Sequence, residues 1–170
     1  MKQLLFAILL FSFTITAAQK KSKVYGDVTA VAFAEPDADA KFGASINVGY
    51  AITNNFGFGV IADVFPDKDG NGYGQVAADF KYLIAGINKQ VSPFIALQPG
   101  TVIYSKDQKI GNTTITTRGS FAFNAMAGVR WMPSDAIGLS FSVGYSTIGF
   151  TVKDDERRTS GLRIQLGLSF

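Results

Sequence analysis

The feature that most constrains this chain is an alternation of period two. From Leu162 to Phe170 every even residue is apolar (Leu162, Ile164, Leu166, Leu168, Phe170), and the residues between them are Arg163, Gln165, Gly167 and Ser169. Successive side chains of a strand leave opposite faces of the backbone, so this segment is a ribbon with one greasy side and one hydrophilic side. Wound as a helix, the same residues would be spread around a cylinder with no apolar stripe.

The pattern recurs upstream. Ile137, Leu139, Phe141, Val143 and Tyr145 alternate with Gly138, Ser140, Ser142 and Gly144. Phe121, Phe123, Ala125, Ala127, Val129 and Trp131 alternate with Ala122, Asn124, Met126, Gly128 and Arg130. Further back, Phe42 to Ile52 faces away from Gly43, Ser45, Asn47 and Gly49. Phe56 to Val64 faces away from Gly57, Gly59 and Asp63, and Val76 to Ile84 away from Ala77, Asp79 and Lys81. Two further ribbons, Val24 to Ala34 and Pro93 to Tyr104, are apolar on parts of both faces. The expected total is eight strands.

The connections alternate in character. Asn54-Asn55, Gly86 to Gln90 and Pro133 to Asp135 are short turn signals, whereas Glu35 to Asp39, Pro66 to Gly72, Ser105 to Thr117 and Val152 to Arg158 read as longer polar loops. An even number of antiparallel strands, with short turns at one end and long loops at the other, is the plan of an all-β, eight-stranded, up-and-down transmembrane barrel. Polarity favours this over a soluble barrel: the bulky apolar side of each ribbon opposes a side of Gly, Ser, Ala, Asn and a few charges, the inverse of a soluble ligand-binding barrel. Aromatic residues also sort to the ends of the outward faces, with Tyr50, Phe56, Tyr82, Trp131 and Phe170 at one end and Phe42, Phe121 and Tyr145 toward the other. Two interfacial girdles are expected from that placement.

Composition agrees. The chain is 47% hydrophobic but only 17% charged, against roughly 25% charged in soluble domains, so something other than charge covers its surface. The formal charge of +3 comes from scattered Lys and Arg, which gives no footprint for nucleic acid. Residues 1–18 have the layout of a secretory signal peptide, with an apolar run from Leu4 to Phe13 and cleavage expected after Ala18, leaving residues 19–170 as one barrel domain. The chain has no cysteine, which excludes disulfides and attachment of lipid through an N-terminal cysteine.

These residues carry a resemblance: a leader ending Ala17-Ala18-Gln19, eight alternating ribbons, and a last ribbon finishing on Phe170. The chain resembles the small eight-stranded outer-membrane β-barrel family, that of the OmpA transmembrane domain and OmpX, over its whole mature length. The Ala18-Gln19 junction also resembles those common in Bacteroidetes secreted proteins. The resemblance implies the outer membrane of a Gram-negative bacterium, contact with its lipid and lipopolysaccharide, and a monomer. It further implies that the barrel-assembly machinery reads Leu166, Leu168 and Phe170 as a signal. One residue pair departs from the pattern: Pro99-Gly100 interrupts the fifth ribbon, where a bulge, a kink or a shorter strand is expected.

The charges on the hydrophilic faces are the candidate site. Asp63, Asp79, Lys81, Arg130 and Arg163, with Asn47, Asn124 and Gln165, are expected inside the barrel as a mutually neutralising network, because buried charges persist only when paired. A binding site or pore lining built from the same residues is the competing reading. Asp67-Lys68-Asp69-Gly70-Asn71-Gly72 has the opening of a calcium loop, but its twelfth position falls on Ala78, and Asp, Asn and Gly also build ordinary turns. The run Asp154 to Arg158 is read as a solvated loop tip, with lipopolysaccharide contact as its functional alternative. With no histidine or cysteine, the usual nucleophile and base pairings are missing, so neither an enzyme nor a cofactor is expected. The expected role is structural or loop-mediated, with a closed or nearly closed lumen. Porin-like passage or capture of a small solute, and a soluble periplasmic ligand-binding barrel, are the alternatives.

Overall fold

The computed structural model describes residues 23–36, 38–66, 72–110, 113–152 and 155–170, with side chains at all of these except 105–110 and 113–115. Nine strands run through them: β1 (Val24–Ala34), β2 (Lys41–Ala51), β3 (Phe56–Phe65), β4 (Tyr73–Leu83), β5 (Val91–Ile103), β6 (Ser105–Ile110), β7 (Thr113–Trp131), β8 (Gly138–Val152) and β9 (Asp155–Ser169). Every pairing is antiparallel. Strands adjacent in sequence pair with each other except β5 and β6; β5 instead pairs with β7, and β1 pairs with β9, which closes the sheet. Strand β6 prolongs β5 beyond Tyr104 and pairs with the outer part of β7. The wall is therefore eight strands, as the alternation requires.

The faces follow the sequence parity. Phe42, Tyr50, Val60, Val64, Leu97, Tyr145 and Leu166 point outward and are exposed, while the residues between them are buried in the lumen. Register places Tyr50 beside Phe58, Phe56 beside Tyr82, and Trp131 beside Val91 and Leu139 near the short-turn end. Phe42, Phe121 and Tyr145 lie toward the opposite end. The girdles expected from sequence are present as outward rings at these levels, apart from Phe170, which is only half-exposed.

The closing seam explains that exception. Gly26 and Phe170 exchange both backbone hydrogen bonds at 2.9 Å. The Phe170 ring lies over Gly26, where an added Cβ would come within 2.3 Å of it. An aromatic ring laid over a cross-strand glycine shields that stretch of backbone and holds the register.

Three expectations change. Ser105 to Thr117 and Val152 to Arg158 are largely not loops, because β6 pairs with β7 from Ser105↔Arg118 to Ile110↔Thr113, and β8 with β9 out to Val152↔Asp155. Thr113, Thr114, Ile115, Thr116 and Thr117 are polar on average but β-branched, and β-branching favours a pleated backbone whatever the polarity. The result is a four-stranded extension beyond the outer girdle. Where it begins, Ser120 and Phe121 of β7 oppose the single Gly149 of β8, a β-bulge.

Pro99-Gly100 produces neither a bulge nor an early stop. Strand β5 continues to Ile103, and its register with β4 is the same on both sides of the proline, from Ala77↔Gly100 to Phe80↔Leu97. What is lost is pairing on one side only. The β4 ladder skips Ala78 and Asp79, opposite Pro99 and Gln98, while the β7 ladder runs unbroken through Gln98↔Asn124 and Pro99↔Phe123. A missing donor costs about 1 kcal/mol net, which the intact neighbouring ladder tolerates. The third change is slight: Ile137 precedes β8 rather than opening it. The signal segment and Asp67 to Asn71 lie outside the described residues.

Replacing Gly26 by valine should displace the Phe170 ring and lower the yield of folded barrel, read as the fraction showing a heat-dependent gel shift after refolding into detergent. Deleting Phe170 should lower that fraction as well. Full yield from both variants would show that the seam does not depend on this contact.

Candidate functional site: the lumenal column

Alternation sends residues of one parity from all eight wall strands into a narrow interior, and the polar ones meet there. Asp79 is the hub. Its carboxylate accepts hydrogen bonds from Asn47 Nδ2 at 2.7 Å and Gln98 Nε2 at 2.9 Å, with the Tyr25 hydroxyl at 3.5 Å. Lys81, two residues on and so on the same face, places its ammonium 2.8 Å from Asp27 Oδ2 and 3.7 Å from Asp79 Oδ2. The Ser169 hydroxyl also donates to Asp27. From Gln98 the chain continues, with Asn124 Nδ2 donating to Gln98 Oε1 at 3.2 Å and Ser146 Oγ to Asn124 Oδ1 at 2.6 Å.

A second group lies nearer the outer end. Arg163 of β9 reaches across the lumen to Asp63 of β3, with Nη2 2.8 Å from Oδ2, an ion pair rather than an aligned hydrogen bond. Gln165, with its amide turned to satisfy both neighbours, accepts from Arg163 Nη2 at 2.7 Å and donates to Ser142 Oγ at 3.1 Å. Between the two groups every wall strand contributes at least one member. Ion pairs across a closed interior are in low dielectric, where each charge depends on its partner.

Seven of the eight residues expected in the lumenal network are joined by these contacts. Arg130 is the exception: it faces the lumen near Asp27 and Tyr25 but makes no hydrogen bond or ion pair among the described residues. It sits at the short-turn end, close to water, where a guanidinium does not need a protein partner. Leu166 and Leu168, proposed from sequence as part of an assembly signal, face outward on β9.

The sequence reading missed Asp27, Gln98 and Gln75, all buried on the lumenal side. Asp27 and Gln98 fall in the two ribbons with apolar residues on both faces, so their parity was ambiguous. A charge in a membrane strand has only the lumen to enter, and that rule alone would have placed Asp27. The hydrophilic faces read from sequence, made of Gly, Ser, Ala, Asn and a few charges, imply a lumen of mostly small side chains. Instead rings fill it, seated on glycines: Tyr25 covers Gly49 and Gly57, where a Cβ would come within 2.3 and 2.6 Å of it. Phe94 covers Gly128 in the same way, at 2.7 Å. The cavity within the polar region is about 20 Å³, bounded by Asp27, Asn47, Lys81, Gln98, Ser142 and Gln165 among others. That volume suits about one water molecule.

At the outer rim Glu35 accepts hydrogen bonds from Lys41 Nζ at 2.5 Å and Thr159 Oγ1 at 2.7 Å, tying the β1–β2 connection to β9. Partial burial pushes the Glu35 carboxyl upward, but the two hydrogen bonds and the Lys41 charge outweigh it and hold its pKa below the usual carboxylate range.

A closed antiparallel wall, an outward apolar band between aromatic girdles and charges confined to the interior define an integral outer-membrane β-barrel. The chain matches the model of the outer membrane protein beta-barrel domain family over residues 4–170, and it belongs to that family. Solved structures show the same fold. Neisserial surface protein A (NspA) aligns with a TM-score of 0.62 at 15% identity, over 86% of this chain and 94% of that one. OprG from Pseudomonas aeruginosa gives 0.58 at 10% identity, over 89% and 96%. The N-terminal β-barrel domain of Pseudomonas aeruginosa OprF gives 0.52 at 13% identity, over 88% and 98%. No curated protein sequence matches the chain. The family and the exposed apolar wall place the protein in the outer membrane and remove the soluble periplasmic barrel as a reading.

Replacing Arg163 by methionine should destabilise the barrel by about 3–5 kcal/mol, because it leaves the Asp63 carboxylate buried without a countercharge. Adding Asp63→Leu should recover most of the loss, measured by urea unfolding in lipid vesicles. Equal stability of the single and double variants would remove the pair from the account. For Glu35 the sign follows from its lowered pKa: its contribution is complete above the ordinary value of 4.5 and is lost as pH falls through the lowered one. Acid unfolding should therefore destabilise the wild type more steeply than Glu35→Gln; identical pH profiles would rule out this linkage.

Proposed function

We propose that this protein is an outer-membrane barrel with a structural or loop-mediated interaction role and a closed lumen. The observation that carries the reading is an interior occupied by side chains, where the cavity bounded by Asp27, Asn47, Lys81 and Gln98 is only about 20 Å³. A hydrated solute needs a continuous path, and an eight-stranded barrel is just wide enough for its own side chains. The four-stranded extension and the β1–β2 and β3–β4 connections are then the surfaces left for contact with partners. Lipid and lipopolysaccharide are the surroundings proposed for the wall, export is directed by a leader that is then cleaved after Ala18, and the barrel-assembly machinery receives the β9 segment ending in Leu166, Leu168 and Phe170. A catalytic role is not proposed, since no histidine or cysteine occurs in the chain and the buried Ser169 hydroxyl that donates to Asp27 meets a carboxylate already ion-paired with Lys81.

The second reading is passage or capture of a small solute. It rests on the skipped pairing of Ala78 and Asp79 beside Pro99, the one place where the described wall of β4 and β5 is not fully laddered. Reconstitution separates the two. Purified wild-type barrel in a planar bilayer should give no discrete current steps, and liposomes containing it should retain small sugars and amino acids. Clear conductance or solute flux would overturn the closed-lumen reading in favour of transport.

A further inference from the structure

The lumen is layered, and the layers are not equivalent barriers. At its outer end Val31 and Phe33 of β1, Phe65 of β3, Tyr73 of β4, Val102 of β5, Ala122 of β7 and Ile148 of β8 form one buried apolar cluster, joined by Tyr104 and Phe150. The rings are in contact: Phe65 and Tyr73 stack with centroids 4.9 Å apart, Phe150 meets Tyr73 edge-on at 6.0 Å, and Tyr104 meets Phe150 at 5.6 Å. The two strands that contribute no apolar side chain, β2 and β9, have glycine at its level and lay cations against its rings, Lys41 Nζ 5.6 Å from the Tyr73 centroid and Arg163 Cζ 5.9 Å from that of Phe65. Gly43 of β2 seats the Phe65 ring, where a Cβ would come within 2.9 Å, and Gly161 of β9 is buried. All eight wall strands therefore border a continuous apolar disc.

The inner end has no such disc. Leu83, Phe94, Ala96 and Met126 form a cluster from β4, β5 and β7 alone. The Tyr25 ring and Ala51 are also buried at this end, but the remaining inward positions there include Ser92, Arg130, Ser140 and Ser169, and the Lys81 ammonium lies 4.8 Å from the Tyr25 centroid. Between the two ends, the column is mainly polar up to the underside of the outer disc, with Ile61 as an apolar member of its lining. There the Gln75 amide, 1% exposed, and the Tyr73 hydroxyl find no hydrogen-bond partner among the described residues. The Asp63 carboxylate beside them has only its ion pair with Arg163. Buried groups of this kind require water as their partner, so the polar column is a hydratable path that ends under the rings.

Resting on the closed-lumen reading, we infer that the outer aromatic disc is the barrier to ion passage and that the ion-paired column beneath it is a latent small-ion pathway. An apolar constriction blocks ions by excluding the water they carry. Paired charges and amides, by contrast, offer replacement ligands. Loss of ring volume at the disc should open the barrel, and loss of charge in the column should not.

The test is single-channel recording on the full chain refolded into bilayers, comparing wild type, the double variant Phe65→Ala with Tyr73→Ala, and the column variant Lys81→Gln with Asp27→Asn. Each is first verified as folded by the heat-dependent gel shift. The aromatic double variant should show discrete steps, at least tenfold above the wild-type background, while the column variant stays silent. Should the double variant fail to fold, Phe65→Leu with Tyr73→Leu keeps the disc apolar with less ring volume and should give smaller steps. A silent wild type with a silent, folded ring variant, or a column variant that conducts, overturns this inference and leaves the closed-lumen reading standing. A conducting wild type overturns both.

Discussion

Within hydrocarbon there is no water to accept a backbone N–H or to donate to a C=O, so each peptide group of the wall must find its partner in another strand. That requirement makes β1 pair with β9 from Asp27↔Ser169 to Ala34↔Leu162, since a sheet ending at either strand would leave a row of unpaired groups in lipid. The rest follows from closure. With eight strands the interior is narrow, the outward parity has to be apolar, and every polar side chain within the span has to be accommodated inside. Gly26 and Phe170 stand at the end of this seam, where the smallest residue and an aromatic one share a single site.

Closure also sets the energetics of the interior. Asp27, Asp63 and Asp79 are nearly inaccessible, as are Lys81 and Arg163, so none could remain ionised without a partner. The arrangement links strands that are distant around the wall: Arg163 of β9 meets Asp63 of β3, and Lys81 of β4 meets Asp27 of β1. Such contacts add little net stability over apolar packing, but removing one member is costly. They favour one register for the whole barrel, since a one-residue slip would move a charge to the lipid face.

Much of the fold was legible because the lipid face admits no exceptions. Leu162 to Phe170 and Phe56 to Val64 show their strand parity directly, and Asn47, Asp63, Asp79, Lys81, Asn124, Arg163 and Gln165 were placed inside by parity alone. Legibility failed where the constraint relaxes. Beyond the outer girdle the backbone can bond to water, so Thr113 to Thr117 read as loop although they extend β7. In β1 and β5 the lumen itself accepts apolar residues, so Tyr25, Phe33 and Phe94 gave no sign of their direction, and Asp27 and Gln98 were overlooked with them.

The sequence by itself determined the strand count, the two faces and the outer-membrane setting, because alternation is a local property that lipid enforces residue by residue. Only the tertiary structure decided which charges pair, that rings rather than small side chains fill the ends of the lumen, and that Pro99 interrupts one ladder without shifting register. Those outcomes depend on the stagger between strands and on which residues share a level around the barrel. Phe33, Phe65, Tyr73 and Phe150 are scattered along the sequence and acquire a common position only when the sheet has closed.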